Sequence, residues 1–218
     1  MSNPMYDEKQ GAYYAVDRKE LIDLIPEGIE RLLDVGCADG TTGQNARQRK
    51  KIREVVGIEF HPPAAQAARQ QLDMVLQGDI ESIDLPFPAN HFDCILCADV
   101  LEHLKDPWAV LRKLHPLLRP DGILIASIPN FRHLHPLLKI IFNRFEYMES
   151  GILDKTHLRI FTLYTIRRLF EAEGFRITAI GRIYSSKPPF RLARIVSLGL
   201  LAPFTVYQFL ITTRKQIK

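Results

Sequence analysis

Three cysteines in a chain of 218 residues are too few for a disulfide framework, and their scarcity points to a reducing compartment. Residues Met1–Gly11 are polar and lack the apolar stretch of a secretory signal, so residence in the cytoplasm is the default expectation. A membrane-spanning run is lacking as well. The uncharged stretch Ile195–Ile211 is interrupted by Gly199 and Pro203 and falls short of the ~20 residues a span needs. It reads better as an amphipathic helix, Phe190–Leu201, followed by a buried strand. Internal repeats and low-complexity segments are absent too. Acids stop at Glu173, leaving Arg176, Arg182, Lys187, Arg191, Arg194, Arg214, Lys215 and Lys218 unbalanced. That asymmetry, within a net charge of +4, allows an anionic partner beside the plainer reading of a solvated face. Elsewhere the basic residues are scattered, which argues against nucleic acid. Arg191, Arg194 and the apolar face of the Phe190–Leu201 helix instead offer a peripheral contact with the inner face of a membrane.

What is present fits one soluble globular domain: 46% of residues are hydrophobic and 25% charged, and the length suffices to bury a full core. Short apolar runs alternate with amphipathic stretches, the pattern of a parallel sheet covered on both faces. Helices are predicted over Asp17–Ile25, Thr41–Lys50 and Pro62–Leu72. Another starts at Asp106-Pro107 with Val110, Leu111, Leu114 and Leu118 on one face, and one runs over Thr162–Glu173 with Gly174 as its stop. Phe175–Tyr184 and Thr205–Arg214 read as the last two strands.

The densest signal is Leu32-Leu33-Asp34-Val35-Gly36-Cys37-Ala38-Asp39-Gly40-Thr41-Thr42-Gly43, an apolar strand running into a glycine-punctuated turn and then a helix. Gly36 and Gly40 let the backbone pass close to a ligand, and the helix start presents unpaired N–H groups, which is the setting of a nucleotide-like cofactor. The spacing is Gly-x-x-x-Gly, not Gly-x-Gly-x-x-Gly, so no tight pyrophosphate approach is specified and an NAD-dependent oxidoreductase is disfavoured. Val55-Val56-Gly57-Ile58-Glu59 is a second strand ending in a carboxylate placed to accept from two ribose hydroxyls. Gly78-Asp79-Ile80 follows a third strand, Asp93–Val100 forms a fourth, and Pro120-Asp121-Gly122-Ile123-Leu124-Ile125-Ala126-Ser127 makes a turn and a fifth.

Taken in this order, these motifs resemble the class I S-adenosylmethionine-dependent methyltransferases over about Arg31–Gly174. The resemblance implies an α/β, Rossmann-like doubly wound sheet of seven strands, mostly parallel with an antiparallel last strand and helices on both faces. It implies S-adenosylmethionine as cofactor, held by Asp34, Gly36, Cys37, Ala38, Gly40, Glu59, Phe60, Asp79, Ile80 and Asp99. Asp79 would accept from the adenine amino group while the Ile80 backbone contacts the ring edge. Asp34 reads either as a partner of the methionine ammonium or as a residue that orders the glycine loop, and Ala38 stands where a glycine is common. One domain is expected over 1–218, with a cofactor-binding half at about 31–128 and a C-terminal helix and strands at about 163–214. Between them, 129–162 is too long for a simple connection and is read as a substrate-covering insertion.

In methyl transfer the sulfonium is already an activated leaving group, so the protein must bring the nucleophile within ~3–3.5 Å of the methyl carbon and exclude water. A hydroxyl acceptor also loses a proton, for which a histidine is suited. His103, after the fourth strand in Val100-Leu101-Glu102-His103, and His157 are the candidates, with Arg159 beside the latter. Asp154–Thr162 resembles the Asp-x-Thr-His-x-Arg-x-Phe-Thr pattern of a subgroup associated with cell-envelope glycan or other small-molecule biosynthesis. Its alternative is a self-contained loop in which Asp154 pairs with Arg159. The expected reaction is O-methylation of a small-molecule or glycan-like acceptor. Its rivals are N- or C-methylation, and a non-catalytic S-adenosylmethionine-binding module acting through a protein partner. No metal is expected. Cys94 and Cys97 form C-x-x-C on a strand, where residues three apart point to opposite faces, and His133 and His135 have no acidic or cysteine partner nearby in the sequence.

Overall fold

The computed structural model describes residues 18–216; Met1–Gly11, Asp17 and Lys218, on which parts of the sequence reading rest, lie outside them. Seven strands form one sheet in the order β3-β2-β1-β4-β5-β7-β6. They are β1 (Arg31–Val35), β2 (Glu54–Glu59), β3 (Met74–Gln77), β4 (Phe92–Ala98), β5 (Leu118–Pro129), β6 (Phe175–Tyr184) and β7 (Val206–Lys215). The first five are parallel, and β7 runs antiparallel to both β5 and β6. The chain winds outward from β1 in one direction and from β4 in the other, which opens a crevice at the carboxyl ends of these two neighbours.

The helices are α1 (Lys19–Ile22), α2 (Thr41–Lys50), α3 (Pro62–Ala68), α4 (Pro107–Leu114), α5 (Leu134–Ile141), α6 (Leu163–Ala172) and α7 (Pro188–Val196). Strand alternation decides which helix covers which face. Leu33, Val35, Ile95 and Cys97 face one side, where they meet Val110, Leu111 and Leu114 of α4 and Ile166, Leu169 and Phe170 of α6. Leu32, Cys94 and Leu96 face the other, against Leu21 and Ile22 of α1, Ala46 of α2 and Ala68 of α3. Cys94 and Cys97 thus lie in opposite cores as free buried thiols, as their spacing predicts. Each fully buried Leu or Phe here contributes roughly 1.5–3 kcal/mol, which is what fixes the sheet register.

Helix ends follow local chemistry. The Asp106 carboxylate caps α4 by accepting from the Ala109 N–H at 2.9 Å, and Thr162 caps α6 in a reciprocal box with Thr165. Gly174 stops that element at φ +78°. Several expected boundaries move: the lead-in helix read to Ile25 ends at Ile22, and Pro120-Asp121-Gly122, read as a turn, lies within β5. The helix read to Leu72 ends at Ala68 and continues as tight turns. Leu118 begins β5 because Pro116, without an N–H to donate, turns His115–Leu117 into a 3-10 segment. The helix read over Phe190–Leu201 is α7, ending where Leu198 and Gly199 enter left-handed backbone at φ +50° and +87°.

Gly57, in the middle of β2, is dictated by packing. A Cβ there would lie 2.5 Å from Cys37 Sγ and 2.8 Å from Leu72 Cδ1. Gly57→Ala is therefore expected to cost about 1–3 kcal/mol through overpacking. The double variant Gly57→Ala/Cys37→Ala should recover part of it, because the nearest clashing atom is gone. Urea unfolding of the three proteins measures this, and equal midpoints for the single and double variants would show that Cys37 is not the obstacle.

Candidate active site

The crevice at the carboxyl ends of β1, β2 and β4 is a cavity of about 1130 Å³. Its first wall is the β1–α2 turn. Gly36 sits at φ +70° with Val100 Cγ2 2.7 Å from where its Cβ would be, so a side chain there is excluded both sterically and conformationally. The Gly36 and Cys37 N–H groups donate to the Ile58 carbonyl at 2.8 and 3.0 Å, which ties the turn to β2. Ala38 follows at φ +52°, a left-handed conformation that costs a non-glycine residue about 1–2 kcal/mol. This strain accounts for why glycine suits the position. The Ala38 N–H donates to Glu59 Oε2 at 2.9 Å, and the His61 N–H donates to Glu59 Oε1 at 2.7 Å. Glu59 is thus clamped by backbone on both sides with its carboxylate lining the cavity.

Beside it, Asp34 is 1% exposed, and its Oδ2 has no hydrogen-bond partner among the described residues. Burial, and then the charge of Glu59, push its pKa up to about 7. Burial also raises Glu59, against the pull of its two backbone donors. Asp79 Oδ1 accepts from the Glu81 N–H at 2.9 Å, an Asx turn that holds Ile80 against the cavity. Phe60 lines the same wall.

The opposite wall comes from the end of β4. Asp99 adopts φ +54° and is half-buried. It pairs with Arg18, accepts from the Ser127 hydroxyl at 2.8 Å and accepts from the Gln208 side-chain amide. Burial raises its pKa, and Arg18 opposes that rise. Glu102 is 1% exposed, and neither carboxylate oxygen has a hydrogen-bond partner among the described residues. Burial, and then Asp99, hold its pKa well above the usual carboxylate range. The segment over this wall is bound to it through backbone. Leu158 and Arg159 N–H groups donate to the Glu102 carbonyl at 2.8 and 2.9 Å. His103 Nδ1 meets the Thr156 carbonyl and His157 Nδ1 the Ile152 carbonyl, each at 3.1 Å. The two imidazoles stand edge to face with centroids 4.7 Å apart, and both line the cavity.

Most sequence candidates therefore converge: Asp34, Gly36, Cys37, Ala38, Glu59, Phe60, Asp79, Ile80, Asp99, His103 and His157 all line this one cavity. Two do not. Gly40 is the N-cap of α2, and at φ +89° it turns the chain behind the wall, where a Cβ would approach the Ala68 backbone at 3.1 Å. Arg159, expected to be catalytic, has its guanidinium on the Lys105 carbonyl and over the Trp108 ring, outside the lining. The pairing of Asp154 with Arg159 is also replaced. Asp154 Oδ1 accepts from the Thr156 N–H and hydroxyl at 2.9 and 2.7 Å. Arg18, Glu102, Tyr207 and Gln208 line the cavity without having been singled out. Only Glu102 left a signal, as an acid in an otherwise apolar run.

An open α/β sheet whose switch-point crevice is walled by acids defines a site for a cationic, nucleoside-like ligand. The chain belongs to the methyltransferase-domain family, whose model matches residues 6–180, and its methyl donor is S-adenosylmethionine. It is similar to a ubiquinone biosynthesis O-methyltransferase of Coxiella burnetii, at 30% identity over 186 residues, 81% of this chain and 77% of that protein. A counterpart from Aeromonas salmonicida is 25% identical over 184 residues, covering 80% and 76% of the two chains. Among solved structures, an S-adenosylmethionine-dependent methyltransferase from Archaeoglobus fulgidus superposes with a TM-score of 0.64 at 19% identity, covering 87% of each chain. The [4+2]-cyclase SpnF gives 0.65 at 20% identity, covering 97% of this chain and 86% of its own. These last two likenesses concern the fold.

The residues present fit the cofactor. Glu59 and Asp79 place carboxylates on the cavity wall, where hydroxyl or amino groups of the cofactor would find acceptors, and Asp34, whose Oδ2 has no hydrogen-bond partner among the described residues, is a buried carboxyl that a cationic group would ionise. Because the native pKa of Asp34 is raised, the cofactor-free protein gains from its protonation below about pH 4 and loses that stability as pH rises through about 7. A cationic cofactor selects the ionised form, so affinity should increase between pH 6 and 8 and then level off. Asp34→Asn should flatten both the stability and the affinity profiles. Calorimetric titration with S-adenosylmethionine across this range, together with thermal melts, measures both; a wild-type affinity independent of pH would remove Asp34 from cofactor binding.

Proposed function

We propose that this chain transfers methyl to an oxygen of a small-molecule or glycan-like acceptor. The observation that carries this reading is the corner formed by His103, His157 and Glu102, which lies at the end of β4 across the cavity from Asp34 and Glu59. With each Nδ1–H donated to a backbone carbonyl, Nε2 of each ring carries the lone pair. Two such imidazoles favour an acceptor that brings a hydroxyl proton. The name of the Coxiella relative, an O-methyltransferase, points the same way.

When bound, the cofactor supplies an electrophilic methyl on sulfur. The chain's residues supply the rest. The acids hold the cofactor, the imidazoles meet the acceptor hydroxyl, and Gly151–Leu158 covers the corner and limits water. Asp154 serves this segment by closing its turn on Thr156. Arg159 anchors it to the loop before α4.

Incubation with methyl-labelled S-adenosylmethionine and fractionated acceptors should give a base-stable ether or other O-methyl product. His103→Ala and His157→Ala should each keep cofactor affinity within about threefold while turnover falls ~10²–10⁴ where a proton-accepting group is lost. Arg159→Ala should act more weakly and through the acceptor's Michaelis constant. Label on nitrogen or carbon, or full turnover in both histidine variants, would sink the proposal.

A further inference from the structure

We propose that Glu102, His103 and His157 form a binding site for a divalent transition-metal ion of the zinc class. One donor atom from each lies within 4.8 Å of the others. The strongest observation is Glu102, a buried carboxylate whose two oxygens have no hydrogen-bond partner among the described residues. Such a group must stay protonated or meet a cation, and Arg18, the one guanidinium among the described lining residues, is engaged by Asp99. The second observation is the outer support of the rings. Each donates Nδ1–H to a carbonyl, Thr156 for His103 and Ile152 for His157, which fixes the tautomer and turns Nε2 into the ligand atom, as carbonyl-supported metal histidines do.

Two imidazoles and one carboxylate make a three-ligand set that leaves a position open, the arrangement of catalytic rather than structural zinc. Ligands at about 2.0–2.2 Å from a tetrahedral ion stand roughly 3.4 Å apart, so donor atoms within 4.8 Å of one another close by at most about 1.4 Å on binding. The ring of His157 belongs to the segment over the cavity, so this adjustment needs no change in the sheet. All three residues line the cavity, and the open position therefore faces the acceptor. The ligand expected there is an acceptor oxygen, and an acceptor with two adjacent oxygens would fit best; with the ion bound, the two imidazoles would act on that oxygen through the metal, and only in metal-free protein as bases. This extension to the acceptor rests on the O-methylation reading, whereas metal binding itself does not. His133 and His135 do not belong to the site: His133 accepts from the His135 N–H and packs edge-on against Phe190.

The test is equilibrium dialysis of chelator-stripped protein against Zn2+ or Co2+, with elemental analysis and the visible spectrum of the Co2+ form. One ion per chain is expected, with affinity reduced at least tenfold in Glu102→Gln and in His157→Gln and unchanged in His135→Gln. S-adenosylmethionine titration shows that each variant is folded. Substoichiometric binding, or binding indifferent to both Glu102→Gln and His157→Gln, overturns the site. Undiminished O-methylation by metal-free enzyme overturns the acceptor's place at the ion and leaves the imidazoles as direct acceptors of the proton. Stoichiometric metal with no label on oxygen sinks the acceptor reading alone.

A separate observation concerns the surface. Helices α5 and α7 lie side by side at their starts, where the His133 and Phe190 rings meet at 4.5 Å, and both turn apolar residues outward. Ile141, Phe142, Ile195, Val196, Leu198 and Leu200 are all more than 65% exposed, and no residue of α7 is buried. Lys187 and Arg191 accompany them, and no acid follows Glu173 in the sequence. Among the described residues no helix is long and apolar enough to cross a membrane. We infer that this face lies on an anionic lipid surface, the apolar residues entering the acyl boundary and the bases meeting headgroups. The protein should co-sediment with vesicles of phosphatidylglycerol and phosphatidylcholine, less so at 0.5 M salt, and Leu198→Glu/Leu200→Glu should abolish binding with cofactor affinity intact. Failure to bind, equal binding to pure phosphatidylcholine, or a dimer in solution dispersed by the same double variant would overturn the inference.

Discussion

The structure turns on three carboxylates, Asp34, Glu59 and Glu102, that end up buried where β1, β2 and β4 stop. Strand ends bring them there because side chains and backbone of a parallel sheet converge at its carboxyl edge. Taking a carboxylate out of water costs several kcal/mol, and the chain meets that cost differently at each position. Glu59 receives two backbone N–H groups. Asp34 and Glu102 keep oxygens without a hydrogen-bond partner among the described residues, and burial raises the pKa of all three, opposed by backbone donors at Glu59. A fold that carries such groups holds them fixed in the crevice, where a cationic ligand would favour their ionised form.

Asp99 shows the complementary solution. Its half-buried carboxylate draws in Arg18, Ser127 of β5 and Gln208 of β7, so one charge ties the segment before α1 to two strands far apart in sequence. The antiparallel β7 is what makes this closure local. It runs beside β5 and places Gln208 opposite Pro129, at the same edge of the sheet as Asp99. The cavity wall and the sheet's last strand are therefore one unit, and a disturbance of β7 reaches the site through this contact.

The cofactor half was legible in the sequence because its signals are local. Gly36 precedes a helix by a few residues, Glu59 ends an apolar run, and Asp79 follows a glycine, and each keeps its place once the strands pair. Cys94 and Cys97 were legible for the same reason, since strand alternation alone separates them. What escaped was long-range. Arg18 and Gln208 reach Asp99 across 81 and 109 residues, and no spacing rule encodes such a meeting. Arg159 misled because a cationic residue beside a histidine in a polar cluster resembles a substrate ligand, while its guanidinium satisfies a backbone carbonyl, as a strut does. Leu118 misled through periodicity, which continued past the point where Pro116 ended the helix.

Glu102 is the residue at which fold and chemistry conflict most. Its backbone carbonyl serves the fold by receiving the Leu158 and Arg159 N–H groups, which fastens the 151–158 segment over the cavity. Its side chain gives nothing back to that fold, since an apolar residue of similar size would fill the space without the desolvation cost. A position so central to covering the site, occupied by an acid that the covering does not need, is explained by what the acid meets in the cavity. The imidazole of His157 comes from the covering segment and that of His103 from the wall, so the contact of the two rings joins the segment to the end of β4 at the point where both line the cavity.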